Sequence, residues 1–368
     1  MISAFAQFYI VEFLITAIAG LTVSLIPYMT ERSIVFGVRI PPGMLNSSRL
    51  TAMKRIYTLS VIAVTASAII VSYALRFTVY PVIISTPTVI AVAFLIYLPM
   101  HLRVAAMKKE LWPISGDRPV SAMVASGTLG SFPWLYSLPG LILIIAIFSV
   151  GIVYYPHIPA MFATHYGISG APNQYSAKSP FTVFLLPVLS GIITVLLVVL
   201  AVAIWRTSFR LDYAVDDPVS RARIFRSRTV KFLLLVTAFI NSTFMLSAFT
   251  EWGILKSYDI TVVALPAILT AVAALALFAG TGQMGSRIHV RVDYKASDDV
   301  RHIGEMKDDD RYWKAGILYV NRNDGRILVP KRFGVGYTMN FGHPVSLVIL
   351  GALLTVPVIV LVLIILKL

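Results

Sequence analysis

Eight stretches of about 20 predominantly apolar residues recur along this chain, at 6–28, 56–77, 82–102, 134–155, 181–204, 231–253, 260–280 and 345–366. A helix needs about 20 such residues to cross a hydrocarbon core of roughly 30 Å. In lipid a lone segment can satisfy its own backbone only as a helix. The pattern therefore predicts an all-α polytopic membrane protein with about eight transmembrane helices. Composition agrees, with 58% of residues hydrophobic and 13% charged, against roughly 25% charged in soluble domains. A soluble enzyme and a disordered regulator are excluded. So is a secreted disulfide scaffold, because the chain has no cysteine, which also removes thiolate metal sites and cysteine nucleophiles. The first stretch carries Glu12 and no basic residue ahead of it, and so reads as a retained span rather than a cleaved signal.

The basic residues alternate with the spans. The loops after spans one, three, five and seven, with the adjoining helix ends, hold five, four, seven and eleven of them. That is 27 of the 31 lysines and arginines, leaving Arg76, Lys178, Lys256 and Lys367 on the other face. Lysine and arginine are retained in the cytoplasm, so both termini are expected outside a cell-membrane protein. The net charge of +14 is then a cytoplasmic collar facing anionic headgroups, with no nucleic-acid partner implied. Prolines at 27, 87, 139, 187, 266 and 357 fall in or at the edges of spans, where neighbouring helices can re-satisfy freed carbonyls.

Two segments outside the lipid look structured. Residues 155–180 form the one long extracytoplasmic loop, rich in Pro, Gly and aromatic residues. Residues 281–344 read as a cytoplasmic β-rich module between a membrane domain at 1–280 and the eighth helix at 345–368. In it, Ile288, Val290, Val292 and Tyr294 alternate with polar residues, a period-two strand. Asn323-Asp324-Gly325 separates two further strand-like runs as a hairpin tip. Phe333 to Phe341 alternates large residues with small ones. A small antiparallel sheet lying against the helix ends is expected. Trp313, Lys331 and Arg332 are its candidate surface for a cytoplasmic protein.

His157, His165, Asn173 and Lys178 are the candidate extracytoplasmic ligand contacts. The two histidines, with Glu12 and Glu251 near outer helix ends, also form a candidate metal site, since imidazole and carboxylate suit zinc or copper. No resident cofactor is otherwise expected. Glu12, Asn241 and Glu251 are the notable intramembrane polar groups, and such groups suggest pathways or interhelical hydrogen bonds. Gly280 to Gly285 spells G-x-G-x-x-G, but it follows a membrane helix rather than a strand, so it reads as a flexible exit from the seventh span. There is no H-E-x-x-H, G-x-S-x-G or P-loop, so nothing identifies an enzyme.

The runs Pro156-His157-Ile158-Pro159, His165-Tyr166-Gly167, Gly170-Ala171-Pro172-Asn173 and Ser176-Ala177-Lys178-Ser179 resemble the signature of an uncharacterised membrane-domain family. That family includes the Sdp-type toxin-immunity and signalling proteins of bacteria. Phe36-Gly37-Val38-Arg39-Ile40-Pro41 fits the same group. Asp310 to Lys314, Val329 to Gly334 and Asn340-Phe341-Gly342 resemble a second uncharacterised domain that follows the first. One structured module on each face, with few buried charges between them, points to a protein of sensor or immunity type that binds an extracytoplasmic peptide or small ligand and signals to a cytoplasmic partner. A transporter or lipid-handling protein and a metal-dependent membrane enzyme are the alternatives.

Overall fold

A computed structural model gives the fold, describing residues 4–78, 80–111, 121–124, 131–167, 171–207, 209–210, 217–255, 259–289, 302–306 and 309–351. Among the described residues, seven helices are long and apolar enough to cross a membrane once their 3₁₀ ends are included. They are α1 (Ala4–Met29), α2 (Ser48–Ala74), α3 (Tyr80–Leu111), α4 (Leu138–Tyr154), α5 (Pro180–Arg206), α6 (Pro218–Glu251) and α7 (Ile260–Thr281). Most of the expected eighth span, 352–368, lies outside the described residues.

The helices form two groups of three. α1, α2 and α3 pack on one another, as do α4, α5 and α6, and α7 lies against both α1 and α6. Asn241 locks the second group. Its Nδ2 donates to the Gly140 carbonyl at 2.9 Å, and its Oδ1 accepts from Ser190 at 2.6 Å and Thr194 at 3.1 Å. All three hydrogen bonds of that buried amide are directed at α4 or α5, which makes it a joint between helices. Interior prolines lie in α1, α3, α5 and α7, whereas α6 has none after Pro218 in its first turn. α6 begins 13 residues before the apolar window, because Asp217 caps it and a basic first stretch continues the helix beyond the lipid-like sequence.

Short antiparallel strands occupy the two ends: β1 (Ile34–Val35), β2 (Val38–Arg39), β3 (Ser121–Val124), β4 (Met161–Tyr166), β5 (Pro172–Ala177), β6 (Phe209–Arg210), β7 (His302–Met306), β8 (Trp313–Lys314), β9 (Leu318–Tyr319), β10 (Leu328–Pro330) and β11 (Tyr337–Met339). The pairs are β1–β2, β4–β5, β8–β9 and β10–β11, and β3 sits between β6 and β7. The β4–β5 hairpin lies alone at one end of the bundle, and the other strands lie at the opposite, basic end.

The expected sheet in 281–344 forms differently. Residues 290–295 of its first strand lie outside the described residues. The runs flanking 323–325 do not pair with each other. Trp313–Lys314 pairs with Leu318–Tyr319, and Leu328–Pro330 pairs with Tyr337–Met339. The tip is instead a side-chain turn: Asp324 takes Arg326 as an ion-pair partner and Asn321 Oδ1 accepts from the Asn323 amide. The alternation at 333–341 extends only over 337–339, because Gly334 and Gly336 adopt φ of 101° and 100° and turn the chain out of the strand.

Candidate functional site

The β4–β5 hairpin continues directly into α5. Ser179 caps that helix reciprocally with Thr182, and Pro180 fills the first helical position. Its root is apolar: Ile158 and Phe162 pack with Ile147 of α4, Val183 of α5, and Ala248 and Trp252 at the end of α6. His165 and Asn173 face each other across the strands, with Nδ1 2.6 Å from Oδ1, and both are exposed. Since the amide oxygen only accepts, that ring nitrogen is the donor. Lys178 has a different role from the one expected. Its ammonium donates to the Ile158 carbonyl at 3.0 Å and stands 4.8 Å over the Tyr155 ring, so it anchors the hairpin base. His157 stacks on Tyr154. Burial, then the nearby Glu251 carboxylate, push the Tyr166 phenol above its ordinary range. Among the described residues no three His, Asp or Glu side chains gather where they could hold a metal.

The opposite end holds a buried charged joint that the sequence did not announce. Asp309, 2% exposed, accepts from Arg39 Nε at 3.3 Å, from Arg332 and from the Trp313 indole at 3.3 Å. Asp310 accepts from the Arg39 amide at 3.2 Å and from Arg332 through one oxygen, and from Lys108 at 2.7 Å through the other. Three basic side chains from the α1–α2 connection, α3 and the C-terminal segment thus converge on two adjacent carboxylates. Burial opposes ionisation of Asp310, but the Arg332 and Lys108 charges outweigh it and hold its carboxyl below the usual range.

Two tight turns close over this joint. Phe36-Gly37 connects β1 to β2 with φ of 45° and 76°, the sign required at both positions of a type I′ turn. Ala315-Gly316, at 48° and 68°, lies opposite it in the loop between β8 and β9. The Tyr97 hydroxyl reaches the carbonyls of both turns, Ala315 at 2.8 Å and Phe36 at 3.1 Å, and His101 Nδ1 donates to Phe36 at 2.8 Å. Phe333 inserts beside them, its ring 4.2 Å from that of Tyr97 and about 6 Å from those of Phe36 and Tyr57. The segment after α7 supplies a second hold. The Gln283 side chain donates to the Lys331 and Gly336 carbonyls at 3.0 and 2.9 Å and accepts from the Gly336 amide at 2.7 Å. The G-x-G-x-x-G run is therefore a close-packed turn rather than a flexible exit: a Cβ on Gly285 would lie 2.5 Å from the Arg221 carbonyl.

Trp313 and Arg332, expected on an exposed surface, are buried at 5% and 0% exposure. A guanidinium between two carboxylates and an indole donating to one of them are consumed by the joint. Lys331 is half-buried next to them, and burial lowers its ammonium. Asp309, Asp310, Gln283 and Asn340 are the residues that sequence reasoning missed. The side chain of Asn340 makes four hydrogen bonds, donating to the Asn321 and Asp324 carbonyls and accepting from the Asn321 and Gly342 amides. The available signal was the motif residues themselves, since Phe36 to Arg39 and Arg332-Phe333 turn out to touch each other.

Comparison with known families finds two matches, each covering a small part of the chain. A domain of unknown function (DUF1648) matches residues 142–191, which span most of α4, the hairpin and the first part of α5. A family of unknown function (DUF5808) matches residues 322–347, from the turn after β9 through β10 and β11. No curated protein and no solved structure matches the chain. The segments bearing the two matches are those that build the hairpin and complete the charged joint.

Proposed function

We propose that this chain is a receptor-type membrane protein. The β4–β5 hairpin presents His165 and Asn173 to an extracytoplasmic peptide or small ligand, and the jointed segment 309–346 passes the change to a cytoplasmic protein. The observation that carries this reading is α6. Its end at Ala248 and Trp252 packs under the hairpin root. Its beginning packs Ala222 and Phe225 against Met284, Val335 and Tyr337, and Arg221 donates to the Ile288 carbonyl. One helix of 34 residues with no proline after its first turn, about 50 Å long, thus contacts both modules. The abundance of Lys and Arg at the jointed end supports placing it in the cytoplasm. The motif resemblance to toxin-immunity and signalling proteins supports a peptide as the ligand class.

A transport path through Glu12, Asn241 and Glu251 draws less support. Glu12 bonds within the first helix group, whereas Asn241 bonds within the second.

Coupling between sites is reciprocal in binding free energy, which gives the test. A Fab raised against residues 161–177 is added to the full chain in lipid nanodiscs. It is expected to change amide exchange by about threefold or more in peptides covering 217–230 and 331–342. The Asp309→Ala variant is expected to bind that Fab with altered affinity, in the range of roughly 5–150-fold typical of coupled sites. Saturating Fab with unchanged exchange at both inner peptides, and equal affinity for the variant, would contradict the reading.

A further inference from the structure

We propose that Glu12 is a binding site for a small monovalent cation, a proton or sodium, inside the helix bundle. Glu12 lies eight residues into α1, about 12 Å along the axis, and is 5% exposed. A carboxyl at that depth can in principle bend back to the nearby interface. This one does the reverse. Its Oε1 accepts from Thr16 at 2.6 Å, one turn further from the start of the helix, and the Thr16 hydroxyl lies 2.8 Å from that of Thr86 on α3. Side chains on a helix lean toward its N-terminus, so the Thr16 hydroxyl comes back over Glu12 in the i, i+4 arrangement and holds the carboxyl inside the bundle.

No basic side chain pairs with it among the described residues. Among the described residues Thr16 is its one hydrogen-bond partner. α1 packs on α2, α3 and α7, and the groups those elements bring are engaged elsewhere. Past the end of α2, the Arg76 guanidinium lies 4.2 Å over the Tyr73 ring and 4.5 Å over Phe77. α3 has no acidic or basic residue from Tyr80 to Met100. Asp259, ahead of α7, accepts from the Thr261 and Val262 amides. On α1 itself Tyr9 meets the Tyr73 ring edge-on. An isolated buried carboxylate costs far more than one hydroxyl donor returns. A bound proton or sodium removes that cost, and the Thr16 and Thr86 hydroxyls supply further oxygens. This site does not depend on the hairpin reading, and either can fail without the other.

The test uses dicyclohexylcarbodiimide, an apolar reagent for protonated carboxyls, on the full chain in nanodiscs, with peptide mapping of the adduct. The expected result is an adduct at Glu12 near pH 6 that falls about tenfold per pH unit above its midpoint and is absent in Glu12→Gln. Thr16→Val keeps the carboxyl and is expected to retain the adduct with a shifted midpoint. This keeps the test valid should the glutamine variant misfold. Loss of labelling on adding sodium at fixed pH assigns a sodium site; no effect of sodium assigns a proton site. Absence of an adduct at Glu12 in the folded protein, or labelling independent of both pH and sodium, would overturn the proposal.

Discussion

Asp309→Ala is expected to release residues 309–342 from the helix bundle, at a cost of about 3–5 kcal/mol, the usual penalty for removing one partner of a buried ion pair. The size follows from geometry. Asp309 is the hub for Arg39 and Arg332, which are 1% and 0% exposed. Its removal takes a carboxylate from both guanidinium groups, while Arg332 keeps its contact with Asp310. Amide exchange in peptides covering 313–341 is expected to rise by two or more orders of magnitude, each 1.4 kcal/mol being tenfold. Lys108→Ala is the internal contrast. That pair is partly solvated, with side chains 15% and 29% exposed, and the loss is expected to stay at about 0–1 kcal/mol. The sign of the pH effect also follows. The Asp310 carboxyl is held below its ordinary range in the folded state, against the pull of burial, by Arg332 and Lys108. Its contribution is therefore complete above about pH 4 and is lost as pH falls through the depressed native value. The Asp310 contribution to the joint is expected to be lost only in acid.

Gly37→Ala is expected to open the same joint without touching a charge. Gly37 has φ of 76°, and a Cβ there would lie 2.6 Å from the Gly316 Cα, the Gly316 carbonyl oxygen and the Tyr97 hydroxyl. The left-handed conformation alone costs a side chain about 1–2 kcal/mol. The contact with Gly316 is backbone against backbone, so it cannot be relieved by a rotamer change, and separation of the two turns is the available response. The total loss is expected to reach about 3 kcal/mol or more, read by protease cleavage within 309–342 in the full-length protein. Gly325→Ala is the control. It has open space around its Cβ and no positive φ, and it should stay within about 0.5 kcal/mol of the parent. Equal protease resistance of Gly37→Ala and Gly325→Ala would mean that the two turns do not meet.

The helices were legible because lipid imposes one rule on every residue of a span, and apolar runs of the required length obey it. The basic start of α6 was missed, because its stability comes from burying Arg221 and Arg226 against partners far along the chain. The joint was missed for the same reason. Arg39 reads as one more basic residue near a membrane surface until Asp309, 270 residues away, is found beside it. Strand alternation at 333–341 was read correctly as a pattern, but backbone freedom at Gly334 and Gly336 decided where pairing begins. On the hairpin, His165 and Asn173 are exposed and bonded to each other, while Lys178 became an anchor because two carbonyls and a ring converge on its ammonium.

The most direct measurement uses the absence of native cysteine. Asn173→Cys, on the exposed hairpin, and Asn323→Cys, on the exposed turn after β9, are each made in the full chain and treated with a membrane-impermeant maleimide on intact cells and after lysis. Cysteine at 173 is predicted to label in intact cells, and cysteine at 323 only after lysis. Labelling of both positions from the same side would place the hairpin and the charged joint in one compartment, and signal transfer along α6 across the membrane would be contradicted.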